Sequence, residues 1–136
     1  GEYKAVANMV GDIRTATPKQ VPIRMKALLS QWESKRTHII EDLADFHYRF
    51  ETIHPFQDGN GRVGRMILFK ECLANGLTPF VILDADKAFY YRGLHEYEHT
   101  PGYLVGTFQV SQDFYQELCE ELLPSVEPEQ EDDFEL

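Results

Sequence analysis

The twelve residues from His54 to Arg65, "HPFQDGNGRVGR", hold one imidazole, one carboxylate, three glycines and two guanidinium groups. His54 is the one group in this stretch whose ordinary pKa lies near neutrality, which makes it the natural candidate for a general base. Asp58 offers hard carboxylate oxygens that could complete the coordination of a Mg²⁺ shared with di- or triphosphate oxygens, although alone it would serve equally well as a helix N-cap. Gly59 and Gly61 would let an anion come close to the unpaired N–H groups of a helix start, where the macrodipole also favours negative charge. Arg62 and Arg65 lie three residues apart, within the first turn or so of that helix, and their forked donors suit phosphate oxygens. Two cations at a helix N-terminus oppose the macrodipole, at a cost of about a few tenths of a kcal/mol each, unless an anion compensates. This local violation of helix electrostatics is the strongest physical sign of a site.

The glycines read as a helix-to-helix connection because both flanks carry helical period. A bare Asp-Gly-Asn-Gly would otherwise suit a hairpin between strands. Upstream, Ile39, Leu43, Phe46, Phe50 and Ile53 recur at i, i+4, i+7, i+11 and i+14, and Pro55 turns His54 away from α geometry and ends the helix. Downstream, the period resumes through Val63, Ile67, Lys70, Leu73, Ala74 and Leu77, with Gly76 as a stop and Pro79 just beyond. A third helix is expected near 22–34, where Ile23, Met25, Leu28, Leu29 and Trp32 follow Pro22, and further helices near 84–98 and 102–122. Residues 4–17 carry β-branched residues on both sides of Gly11-Asp12, a pair suited to a type II′ turn, and read as a small hairpin. The fold class is mainly α, a single helical domain with one β-hairpin.

At 136 residues with 43% hydrophobic side chains, the chain has enough apolar material for one core. The formal net charge of −10 argues against sequence-independent binding to nucleic acid or to an anionic membrane. Six of those charges sit in the C-terminal "EPEQEDDFEL", so residues 124–136 read as an acidic, disordered tail and 1–123 as the folded domain. Cys72 and Cys119 show no disulfide or zinc spacing, and no signal peptide or membrane-length apolar run is visible, so the expected setting is reducing and cytoplasmic. A chain that opens on "GEYK" without Met reads as processed or truncated. Neither His47, Glu51 and His54 nor the His95 and His99 pair forms an H-E-x-x-H pattern, which disfavours a zinc hydrolase.

"HPFQDGNGRVGR" resembles, throughout, the Fic-domain signature H-x-F-x-[DE]-G-N-G-R-x-x-R. The resemblance extends to "FHYRFETI", to "GEYKAVANMVG" and to "YYRGL", covering most of residues 1–122. It implies a Fic-type helical domain with a β-hairpin flap and, as the activity, transfer of AMP from ATP to a protein hydroxyl with release of pyrophosphate. His54 would then be the catalytic base, and Asp58 would hold Mg²⁺. Gly59, Asn60 and Gly61 would line the anion hole, Arg62 and Arg65 would position the leaving phosphates, and Phe56 would bury itself and fix the loop. Tyr91 and Leu94 would border the base pocket ahead of Tyr90. Glu98 departs from the Asn of many relatives and, when ionised, cannot donate a hydrogen bond to adenine.

By the same resemblance, the flap would add a strand of the target protein to its edge. The intact "DGNG" separates the chain from the Doc kinases, which transfer the γ-phosphate. A Doc-like or other phosphoryl-type transferase is the alternative within the fold, with phosphocholine transfer more remote. A non-catalytic nucleotide-sensing or adaptor module is the alternative outside it. The inhibitory pattern [ST]-x-x-x-E-[GN] has no convincing match: "THIIED" at 37–42 lies in the helix leading to the loop, and Pro128 interrupts "SVEPEQ" at 125–130. Restraint would come from missing N-terminal residues, from an antitoxin partner or another subunit, or would not exist.

Overall fold

A computed structural model of the chain describes residues 1–10 and 13–123. Two short antiparallel strands, β1 (Met9–Val10) and β2 (Ile13–Arg14), precede five helices: α1 (Val21–Glu33), α2 (Ile40–Ile53), α3 (Asn60–Ala74), α4 (Lys87–His95) and α5 (Gly102–Leu122). Met9 pairs with Arg14 and Val10 with Ile13. The expected Gly11-Asp12 turn and the acidic tail at 124–136, which includes "SVEPEQ", lie outside the described residues. Among the described residues, no helix is long and apolar enough to cross a membrane.

The central helix is α2, which packs against α1, α3 and α5. Its N-terminus is fixed by Asp42, whose carboxylate accepts from the Ile39 N–H at 3.0 Å and also pairs with Lys35 at 3.1 Å. The Ile39 N–H, then Lys35 and His38, hold the Asp42 carboxyl below its ordinary range against the opposing effect of burial. Residues 37–42 thus serve to start a helix.

Leu43, Phe46, Phe50 and Ile53 are buried as the period requires. Ile39 departs from this stripe: it is extended and 58% exposed because it stands outside the helix as its cap. One face of α2 joins Val21, Met25 and Leu28 of α1 in a cluster with Ala16, Phe46, Phe50 and Ile53, and the other joins Leu68, Cys72, Phe80, Tyr90, Leu104 and Phe108. Trp32 packs against both.

Three further expectations are corrected. In α3 the buried line is Asn60, Gly64, Leu68 and Cys72, whereas Leu73 is 60% exposed and Val63 and Ile67 are only partly covered. The small residues face inward because α2 crosses close to them. In α1, Ile23 is 73% exposed, and Val21 occupies the core place instead. The expected helix at 84–98 is a short 3₁₀ turn, Asp84–Asp86, followed by α4, which ends at His95. There Thr100 and His99 donate back to the Glu96 carbonyl, closing a turn ahead of Pro101. Gly93 lets α4 and α5 meet, since a Cβ there would lie 2.8 Å from the Leu104 Cα.

Candidate functional site

The loop between α2 and α3 begins at His54 and ends at Gly59. His54 caps α2 in the left-handed region (φ 51°, ψ 63°), the sole non-glycine residue with positive φ among the described residues. Such a conformation in a non-glycine residue costs on the order of 1 kcal/mol, so it persists only where the surroundings impose it. Its amide still donates to the Phe50 carbonyl at 2.9 Å, and Pro55 follows, buried. Gly59, also left-handed (φ 78°), then caps α3.

Asn60 holds the loop between these two ends. Its side chain accepts from the Phe56 N–H and donates to the Phe56 carbonyl, both at 2.8 Å, and it is 2% exposed. Within the expected anion hole, therefore, its side chain is taken up by the loop itself. Phe56 is half-buried, packed between Phe50 and Tyr3.

Both arginines lie over the glycines. A Cβ on Gly61 would come within 2.9 Å of Arg65 Nη1, and one on Gly59 within 3.8 Å of Arg62 Nη2. Two guanidinium groups and the free amides of a helix start thus converge with no anionic side chain paired to either arginine among the described residues. Asp58, exposed at the same mouth, uses one carboxylate oxygen to accept from Gly59 N–H at 2.8 Å. The described residues contain no cluster of three metal-ligating side chains, so a cation here would need oxygens from a ligand in addition to Asp58. That composition fits Mg²⁺, which binds through one or two carboxylates plus phosphates. A groove of about 390 Å³ runs from the arginines between α3 and residues 80–82.

Beneath the loop lies a buried polar group that the motif does not announce. Glu51, one turn before His54, is 8% exposed, and its Oε1 has no hydrogen-bond partner. Its Oε2 stands 4.0 Å from His54 Nδ1, which is also buried and unpartnered. Burial pushes the Glu51 carboxyl up to about 7 against the opposing charge of Arg65. His47 shares a 2.5 Å contact with the Tyr90 hydroxyl, and burial, then Arg65, lowers its pKa to about 3, so its ring is neutral. Burial, then the Lys4 charge, lowers the His54 pKa, and the Glu51 main-chain carbonyl opposes them. The His54 ring is consequently neutral at physiological pH.

Lys4 was missed in the sequence because a lone lysine near a chain end ordinarily reads as surface. It is 4% exposed, and its Nζ donates to Asn8 Oδ1 (2.6 Å), Thr15 Oγ1 (2.9 Å) and the Ile53 carbonyl (3.2 Å). With Asn8 Nδ2 donating to the Phe56 carbonyl and Lys4 N–H to that of Pro55, both arms of the hairpin are fastened to the loop. The expected hairpin over 4–17 is shorter in strand content for this reason: its base is bonded to the loop. Of the residues expected at the base pocket, Tyr91 is 52% exposed beside Tyr90, and Leu94 is half-buried against the core. Tyr90 itself is core. Glu98 accepts from the Tyr48 hydroxyl at 3.0 Å.

Residues 1–71 match the Fic/DOC family. The chain is 33% identical over 103 residues to "Protein adenylyltransferase Fic" of Nematostella vectensis, covering 73% of this chain and 24% of that protein. It is 35% identical over 82 residues to "Probable protein adenylyltransferase aq_aa38" of Aquifex aeolicus, covering 60% and 25%. It therefore spans about a quarter of the length of these curated relatives. Among solved structures, a Fic family protein from Desulfovibrio desulfuricans superposes with a TM-score of 0.67 at 25% identity, over 88% of this chain and 41% of the other. Fic-1 from C. elegans gives 0.60 at 28%, over 82% and 36%. With the signature, the hairpin and the helical core all in agreement, the chain belongs to the Fic/DOC family.

Proposed function

We propose that the chain is the transferase domain of a protein adenylyltransferase, moving AMP from ATP to a side-chain hydroxyl of another protein. The observation that carries this reading is the convergence of Arg62, Arg65 and the first amides of α3 on one side of a six-residue loop whose other end is His54. The naming of its relatives as adenylyltransferases supports it.

In the proposed reaction the target hydroxyl oxygen bonds to the α-phosphorus while its proton passes to His54 Nε2. The bond from the α-phosphorus to the oxygen bridging to the β-phosphate breaks, and pyrophosphate leaves under the charge of Arg62 and Arg65. Asp58 would hold Mg²⁺, which neutralises charge on the polyphosphate when bound. Gly59 and Gly61 keep the approach to the amides open, and Asn60 keeps the loop in shape from below. The chain supplies no covalent chemistry, so alignment and preorganised charge carry the acceleration. A strand of the target protein would lie along the hairpin edge, whose Met9 and Ile13 are exposed.

The test is to incubate the protein with Mg²⁺, a cell lysate and ATP labelled with ³²P at either the α or the γ position. Label from the α position alone should appear on protein, and His54→Ala should abolish it with an unchanged thermal melt. Retention of γ-label would make the domain a kinase. Retention of neither, with ATP affinity lost in Arg65→Ala, would make it a nucleotide sensor.

A further inference from the structure

The Fic signature begins at His54 and takes no account of Glu51. We infer that Glu51 is the positioning residue for His54: its carboxylate accepts the Nδ1 proton, holding the ring in the tautomer whose Nε2 lone pair faces the reacting hydroxyl. This deepens the adenylyl-transfer reading and rests on it for the identity of the reaction.

Three independent observations meet here. Glu51 Oε2 and the inner nitrogen of His54 face one another at 4.0 Å; that nitrogen is buried without a hydrogen-bond partner, and so is the other carboxylate oxygen, Oε1. Closure by about 1 Å makes a hydrogen bond, and catalytic contacts are commonly that loose before ligand arrives. Space is also kept open for this carboxylate: a Cβ on Gly64 would lie 2.5 Å from Glu51 Oε1 and 3.1 Å from His47 Cε1, so α3 carries glycine where it crosses the acid. Finally, leaving a buried carboxylate unpaired is costly, yet the helix carries one among buried residues that are, His47 apart, aliphatic or phenylalanine.

The charged and titratable groups around the pair are few. Lys4 faces His54 from the base of the hairpin, Arg65 faces Glu51 from α3, and His47 and Tyr90 stand behind. The Glu51 main-chain carbonyl also faces the ring and favours its protonated form. During transfer, the proton leaving the hydroxyl goes to Nε2, while the Nδ1 proton stays between the ring and the carboxylate, stabilising the imidazolium that forms. Protonation of Glu51 reverses this arrangement. A neutral carboxyl donates to Nδ1, the ring keeps its own proton on Nε2, and no lone pair is left for the hydroxyl. Since the Glu51 pKa is raised to about 7, the wild-type pH profile should rise through neutrality.

The experiment follows His54 by ¹⁵N and ¹H NMR from pH 4 to 9 in the wild type and in Glu51→Gln, without nucleotide, alongside the pH dependence of α-label transfer. The wild-type ring should report a step near pH 7 that belongs to the pair, and Glu51→Gln should abolish that step and leave a single one at lower pH. Turnover in Glu51→Gln should fall by on the order of 10²-fold with KM for ATP unchanged, and the acid limb should move to lower pH. Identical His54 titrations in the two proteins, or an unmoved acid limb, would overturn the inference. If Glu51→Gln does not fold, the wild-type titration decides alone, and one step well below 7 counts against it. An intact step near 7 without any transfer of label would instead refute the adenylyl-transfer reading and leave the pairing standing.

Discussion

Phe50 and Glu51 are neighbours on α2, both buried, and they meet opposite fates. Phe50 turns into the cluster it shares with α1, its ring stacked beside that of Phe46. Glu51 turns toward α3, into a space kept open by glycine, and finds no hydrogen-bond partner for Oε1. Near its C-terminal end the helix thus sets side by side an apolar ring that holds the domain together and a carboxylate left unpaired where chemistry is expected.

The most direct way to break this contrast is Phe50→Ala, which should cost about 3–5 kcal/mol in urea denaturation, because a ring that is 1% exposed leaves a cavity. The opposite sign is expected next door. The Glu51 pKa rises from 4.5 to about 7 on folding, so the folded state binds more protons and stability falls as pH climbs through that window. Glu51→Gln should therefore raise stability at pH 8 by on the order of 3 kcal/mol and change nothing below pH 4, as melts at the two pH values would reveal. A variant that is sturdier yet slower would mark Glu51 as retained for reactivity. Gly64→Ala should cost about 1–3 kcal/mol, as a methyl group meets Glu51, His47 and Phe50 at once, and it should displace the His54 ring resonances. Asn60→Ala should cost about 1–2 kcal/mol by orphaning the Phe56 N–H, with faster hydrogen exchange at that amide as the readout.

Legibility in the sequence followed the same division. The apolar face of α2 was plain because large side chains at helical spacing have one physical explanation, and the helix limits of α1 and α5 fell within two residues of expectation. The inward face of α3 was not, because Asn60 and Gly64 face the core for reasons of shape and hydrogen bonding that hydropathy does not carry. The mouth of the site, from His54 to Arg65, could be read from residue type alone, since two arginines and two glycines at a helix start have few other uses. Its floor could not. Glu51 and Lys4 became visible only when the crossing of α2 with α3, and the return of the hairpin over the loop, removed them from water. Tyr90 and Tyr91 exchanged prominence for a similar reason, their order along α4 saying nothing about which one α5 would cover.

The Lys4 ammonium fixes a length as well as a charge. Because it clasps both arms of the hairpin to the last carbonyl of α2, the distance from the strand edge to the imidazole is set within the domain before any target arrives. A strand advances about 3.3 Å per residue and alternates its side chains, so under the proposed transfer a docked segment shifted by one place would aim its hydroxyl away from His54. Such a gauge selects its acceptor by counting along a backbone, with little regard for the letters on either side.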